Sequence, residues 1–238
     1  MKGFDRPLKP EWIYKMIQLL EVGDTIYEHR DKLDEILVEL DGKTGKRKVI
    51  TVIGRYFLKD FANSRGRKVE DNLIFNMVKN STYEEAKPLM LFNLLVKAPI
   101  LQHFSKQLYN YYGAKEEVNS YFLLKKSYEK IGERDIAGRS LRNFLSTLTD
   151  FGLLVQEERS VYKWTDKLEI SEDNLIYFFK LYSKFYLKSP QISLYDLPEH
   201  IFFYFNIPDL QEIAQKYNNV HWQYVRRVNT ALITMKND

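Results

Sequence analysis

The stretch SLRNFLSTLTDFGLLVQEERSVYKW, Ser140–Trp164, constrains the fold more than any other part of the chain. Leu141, Phe144, Leu145 and Leu148 fall at i, i+3, i+4 and i+7, a spacing that gathers apolar side chains into one stripe of a helix. Ser140 reads as the N-cap, because its hydroxyl can accept an orphan backbone N–H. Gly152 stands where a helix C′ residue needs positive φ. Two short apolar runs, Leu153–Val155 and Val161–Trp164, then predict a hairpin around Gln156–Ser160. Upstream, Asn119–Tyr128 and Asp135–Gly138, punctuated by Gly132 and Gly138, supply the first helices. Helix, helix, helix, hairpin is the order of a winged helix.

Mostly away from that stripe lie Arg142, Asn143, Ser146, Thr147 and Thr149, with Arg139 on the exposed face, residue types able to bond phosphate oxygens or base edges. The hairpin turn carries Glu157 and Glu158 against Arg159 alone, which would repel a phosphate backbone. A module that serves protein contact or packing is therefore the alternative reading.

A second basic surface lies nearer the start. The chain of 238 residues has a net charge of only +4. Between Asp41 and Lys68, however, Lys43, Lys46, Arg47, Lys48, Arg55, Lys59, Arg65, Arg67 and Lys68 oppose only Asp41 and Asp60. This segment holds seven net positive charges, and the remainder of the chain is net negative. DGKTGKRK reads as a turn or loop. VITVIGRYFLKDF has the β-branched residues of a strand, yet Ile50, Ile53, Phe57 and Phe61 fall on one helical face with Arg55 and Lys59 on its polar side, which favours the helix. Loop and helix together can neutralise several phosphates of duplex DNA.

Elsewhere helical patterns dominate. Pro10–Gly23 opens with proline and closes with glycine. Asp24–Leu40 holds one or two further helices. Val69–Val78 and Tyr83–Tyr112 are helical, with Pro88 in the first turn after a Ser81–Glu84 capping signal and Pro99 at a break. AKEEVNS reads as a linker. Beyond Trp164, Ser171–Leu187 begins on the capping sequence SEDN, Leu194–Phe205 and Asp209–Tyr217 tend to helix, and HWQYVRRVNTALITM fits helix or strand. The expected architecture is mainly α. It comprises a helical domain with the basic segment (1–113), a winged-helix-like module with a short β-hairpin (119–170) and a helical extension (171–238).

Several chemistries have no support. The chain has no cysteine, which removes disulfides, thiolate metal sites and cysteine nucleophiles. GKT at Gly42–Thr44 lacks a phosphate loop's first glycine, since Leu37 stands in that place. His29, His103, His200 and His221 show no metal-ligand spacing. Glu39 and Asp41 in ELDGK faintly suggest a metal-dependent nuclease, although a surface turn explains them as well. No cofactor is expected. PLMLFNLLVKAPIL, the richest apolar stretch, is too short and too interrupted for a bilayer, and MKGFDRPLKPEW lacks a signal peptide's apolar core. A cytoplasmic protein with no membrane partner is the expectation. LIYFFKLYSKFYL and HIFFYFNI read as core aromatics at helical spacing, and any exposed remainder would serve a protein interface or a second copy of the chain.

Within KKSYEKIGERDIAGRSLRNFLSTLTDFGLL, preceded by APILQHFSKQLYNYY and by the basic GKRKVITVIGRYFL, the chain resembles the BrxA family of BREX phage-defence systems. The resemblance spans most of residues 10–165. It implies a non-enzymatic, helical DNA-binding accessory protein with a winged-helix-like part, acting in antiviral defence beside other defence-system proteins.

Overall fold

Helices α1 (Pro10–Leu19), α2 (Arg30–Ile36), α3 (Lys43–Tyr56) and α4 (Leu73–Lys79) lead to the central helix α5 (Tyr83–Lys97), and Pro99 starts α6 (Pro99–Tyr112). The computed structural model describes residues 3–61, 68–113, 117–132 and 135–236. Helix α5 starts at a capping box, with Thr82 bonding the Glu85 N–H and Glu85 bonding back to the Thr82 N–H. Pro88 lies inside the helix rather than in its first turn. Every residue from Pro88 to Val96 is buried, the signature of a helix packed on all sides. Helices α1, α3, α4 and α6 all pack on it. Among the described residues no helix is long and apolar enough to cross a membrane.

The reading of DGKTGKRK as a loop is corrected. Gly42, with φ of 77°, is the N-cap residue, and Lys43, Lys46, Arg47 and Lys48 occupy the first turns of α3. Val49, Ile50, Val52 and Ile53 bury one face of this helix and draw the basic residues into it. A single helix, α2, occupies the Asp24–Leu40 region.

The middle of the chain contains β1 (Glu117–Asn119), α7 (Ser120–Ile131), α8 (Asp135–Asp150), β2 (Leu154–Glu158) and β3 (Val161–Trp164). Strand β3 is central, pairing antiparallel with β1 (Val118 opposite Tyr162) and with β2 (Leu154 opposite Trp164). Helix α8 begins five residues before Ser140, so that serine is not an N-cap; it is buried within the helix. Leu141, Phe144, Leu145 and Leu148 are buried as their spacing requires. Gly152 has φ of 79°, and the closing turn is a Schellman motif in which the Leu153 N–H bonds the Leu148 carbonyl and the Gly152 N–H bonds that of Thr149, both at 2.9 Å.

Beyond Trp164 come β4 (Leu168–Glu169), α9 (Glu172–Leu181), β5 (Gln191–Ser193), α10 (Glu199–Phe202), β6 (Phe205–Asn206), α11 (Leu210–Lys216), β7 (Trp222–Arg227) and β8 (Thr230–Met235). Ser171 and Asn174 cap α9, which continues into a π-helical turn over Tyr182–Leu187. The helical expectation for Leu194–Phe205 is met only by the single turn of α10. The final run is a hairpin. One of its faces alternates Trp222, Tyr224 and Arg226 across from Met235, Ile233 and Ala231. Strand β5 pairs with β8, while β4 and β6 pair in parallel.

One hydrophobic cluster runs through all three sequence segments. Its centre is aromatic. Phe92 of α5 stacks on Phe178 of α9 at 3.8 Å, with Phe202 and Phe205 edge-on at 5.3 and 5.9 Å. The 171–238 segment is thus joined to the rest through α5, and through α6, whose Ser105 hydroxyl bonds the Tyr204 hydroxyl at 2.8 Å.

Candidate nucleic-acid interface

Helix α3 segregates its residues by chemistry. Lys43, Thr44, Arg47, Lys48 and Thr51 are exposed, and Arg55 is half-buried at the end of the same face. Successive positions four apart stack along one side of a helix, so Lys43, Arg47, Thr51 and Arg55 form a continuous stripe about 18 Å long. Lys43, Arg47 and Lys48 make no ion pair or hydrogen bond through their side chains among the described residues. No acidic residue lies in the first turn, where acids normally complement the positive end of the helix dipole. The cations are thus left uncompensated at a terminus that is itself electropositive.

Other members of the segment are committed to structure. Lys46 Nζ donates to the Asp34 carbonyl at 2.7 Å. The Arg55 guanidinium lies 5.9 Å from the Tyr56 ring, and its Nη1 is buried without a hydrogen-bond partner. Lys59 is half-buried. Lys68 is exposed and its backbone bridges to Thr25. Arg65 and Arg67 lie outside the described residues.

On α8 the polar residues divide in two. Arg139 and Arg142 are exposed and, among the described residues, unpaired. Ser146 is half-buried. The assignment of Thr147 to nucleic acid is corrected, and Asn143 spends one amide proton within the fold, because the segment Gly3–Lys9 lies over them. Asn143 Nδ2 donates to the Phe4 carbonyl at 2.7 Å. Thr147 is fully buried, and its hydroxyl accepts the Leu8 N–H at 3.0 Å while donating to the Asn143 carbonyl. Ser140 likewise accepts the Phe4 N–H at 2.9 Å. The side chains that suit base edges instead satisfy an extended backbone, which has no secondary-structure partner of its own. A Cβ on Gly3 would lie 2.5 Å from the Ile136 side chain, so a larger residue there would have to displace it.

This segment also sets the geometry of the interface. Phe4 is fully buried, with its ring 6.5 Å from that of Tyr56 on α3 and its backbone bonded to α8. The Arg55 end of the α3 stripe and the Arg139 end of α8 therefore flank one buried residue. Arg6, two positions on, adds a further cation whose Nε is buried without a partner. Neither the strap nor Arg6 stands out in the sequence. Paired apolar residues in a Pro- and charge-containing stretch, Phe4 and Leu8, were the available signal.

Two ionisable groups beside these elements are strongly perturbed. Burial pushes the Lys97 amine down to about 7, against the attraction of Asp60. Burial raises the Asp150 carboxyl to about 6, opposed by Lys9, which pairs with Glu39, and reinforced by Glu11 and Glu39. Asp150 also ends α8, where a negative charge opposes the helix dipole. An acid raised on folding binds more protons in the native state, so its ionisation costs stability once pH passes from about 4 to about 6. Asp150→Asn is expected to raise stability at pH 7 by up to about 3 kcal/mol, and to leave it unchanged at pH 3.5. Urea titrations at the two pH values test this.

Glu39, a candidate nuclease carboxylate, is occupied by Lys9. Among the described residues no group of three or more histidines or acids could hold a metal ion. No protein-family model, curated protein or solved structure matches the chain.

Proposed function

We propose that this chain is a non-enzymatic accessory protein that binds double-stranded DNA, mainly through phosphate contacts. The observation that carries the reading is that Lys43 and Arg47 in the stripe, and Lys48 beside it, are exposed on α3 with no carboxylate partner among the described residues. Surface cations in a chain with 32 acidic residues usually find carboxylates, and these have none among the described residues. Arg139 and Arg142 on α8 extend the patch. Thr44, exposed beside the stripe, adds a hydroxyl suited to a phosphate oxygen, whereas the Thr51 hydroxyl is spent on the Arg47 carbonyl at 2.7 Å.

A winged-helix reading of α6 to β3 supports the same function. Helix α6, β1, α7, α8 and a β2–β3 hairpin, with sheet order β1-β3-β2, follow the connectivity of that module. In it α8 would be the recognition helix and the hairpin the wing. Because Gly3–Lys9 takes up Asn143 and Thr147, α8 offers charge more than base readout. Limited sequence preference follows. The resemblance to the BrxA family supports a role in phage defence, beside other proteins of such a system.

A mobility-shift titration with a 30-base-pair duplex at two salt concentrations tests the proposal. Lys43→Ala, Arg47→Ala and Lys48→Ala together are expected to weaken binding on every sequence. They should also reduce the slope of log affinity against log salt by about 0.9 for each phosphate that is no longer neutralised. Binding that is absent from the parent protein at low salt sinks the reading. A stable dimer without DNA affinity would favour a protein-interaction adaptor instead, for which the exposed Tyr121, Phe122, Ile136 and Val155 are the specific observation.

A further inference from the structure

We propose that the β7–β8 hairpin is a second duplex contact, with its Arg226–Val228 tip entering the minor groove. This rests on the DNA-binding reading and adds a site remote in sequence from α3 and α8. The hairpin is anchored at its base and free at its tip. Trp222 is fully buried, its Nε1 donates to the Ala214 carbonyl at 2.9 Å, and its ring meets that of Phe179. Strand β5 pairs with β8 only from Leu232 to Thr234, and a last backbone bond joins Leu194 to Ala231. Beyond that point no further strand pairs with the hairpin among the described residues. Pairing continues through Arg226 opposite Ala231 and Arg227 opposite Thr230, so Val228 and Asn229 make the turn. At about 3.4 Å per residue, the unsupported end projects about 10 Å.

The chemistry of that end is uniform. No acidic residue occurs between Glu212 and Asp238, although acids are abundant elsewhere. Arg226 and Arg227 are exposed and form no hydrogen bond or ion pair among the described residues. The nearest influence on an acid is slight. The Asp209 carboxyl is held low by the Glu212 and Gln211 N–H groups, and only lastly by Arg226. Val228 is 97% exposed and Val225 is 50% exposed, which leaves a small apolar side chain beside two unpaired guanidinium groups. A lone exposed valine needs no explanation. An apolar tip on a projecting, acid-free, arginine-bearing ribbon matches what a minor groove accepts. Its negative potential deepens where A·T tracts narrow it, drawing in arginine, and small apolar side chains wedge at its base steps. The outer ribbon face carries Gln223, Val225 and Arg227 across from Thr234, Leu232 and Thr230, so a single amide stands on it rather than a row. Entry by the tip therefore fits better than laying the ribbon in the major groove.

The absence of cysteine makes the test clean, since Val228→Cys supplies a single attachment point for an environment-sensitive fluorophore. Labelled protein should change its emission on adding an A·T-rich duplex, and netropsin, which fills the minor groove, should reverse the change. Arg226→Ala with Arg227→Ala should weaken binding to that duplex by at least tenfold while leaving the melting temperature unchanged. An unchanged affinity, or emission indifferent to netropsin, in a protein that still loses binding through the α3 substitutions would overturn this site and leave the DNA reading intact. A parent protein with no duplex affinity at low salt would overturn both.

Discussion

Phe92→Ala is expected to lower the unfolding free energy by about 3–5 kcal/mol, the cost of emptying a large, fully buried aromatic site. The ring is stacked at 3.8 Å and 8° on Phe178, with Phe202 and Phe205 against its edges. These partners come from α9, α10 and β6, so relaxing into the cavity would need three elements to move together. For a chain of this length the melting temperature should fall by about 10 °C. Because the cluster joins α5 to residues 171–238, the loss should act on the whole molecule as one shifted transition. Calorimetry distinguishes the cases. A separate low-temperature transition of partial amplitude would mean that the C-terminal third unfolds alone, and a loss below 1 kcal/mol would refute the packing. Phe92→Leu, which retains most of the volume, should cost less than half as much.

The second large effect concerns Lys97, the last residue of α5. Its Nζ donates to the carbonyls of Tyr56 at 3.1 Å and Lys59 at 2.8 Å and lies 4.3 Å from the Phe185 ring. It thereby satisfies carbonyl groups at the end of α3, the helix that carries the basic stripe. Burial, opposed by Asp60 and aided by Lys184, holds the amine down to about 7 against an ordinary value of 10.5. Between those values the unfolded chain binds more protons than the native one, so stability rises with pH across that window. The full shift corresponds to about 5 kcal/mol, reduced by the partial exposure of the side chain. Lys97→Met should abolish the pH-dependent part of the difference while losing the two carbonyl bonds. Denaturant titrations of parent and variant at pH 7, 8.5 and 10 measure it. A parent curve parallel to that of the variant would show that Lys97 is not neutralised on folding. If α3 binds DNA, duplex affinity of the variant at pH 7 should also fall, because the carboxyl end of that helix keeps only the Asn93 bond to the Tyr56 carbonyl.

Elements whose cause is local were legible in the sequence. The stripe of Leu141, Phe144, Leu145 and Leu148 is buried, Gly152 takes the left-handed conformation, and Pro99 opens a new helix. The SEDN start of α9 is a capping box. Local signals misled where burial elsewhere outweighed them. DGKTGKRK has the composition of a turn, yet the apolar face that follows extends its helix back to Lys43. Ser140 has the chemistry of an N-cap, yet the helix runs past it because Phe4 takes its hydroxyl. The final hairpin was ambiguous because its period-2 face, with Trp222 opposite Met235, depends on the Trp222–Ala214 and Phe179 contacts for burial.

The candidate interface divides along the same line. That residues 43–68 concentrate positive charge is a property of the sequence alone, since charge is carried by residue type. Which of those cations face solvent without a partner among the described residues was decided by tertiary structure. Lys46 is drawn to the Asp34 carbonyl and Arg55 packs beside Tyr56, while Lys43, Arg47 and Lys48 remain open. Asn143 and Thr147 show the limit most clearly. Their position on the polar side of α8 follows from a 3.6-residue period, but the backbone of Phe4 and Leu8, more than 130 residues away in the chain, occupies that side. Periodicity ranks the faces of a helix by the transfer energy of its own side chains. An unpaired backbone N–H or carbonyl seeking a partner can come from anywhere in the chain, and only the folded molecule shows where it arrives.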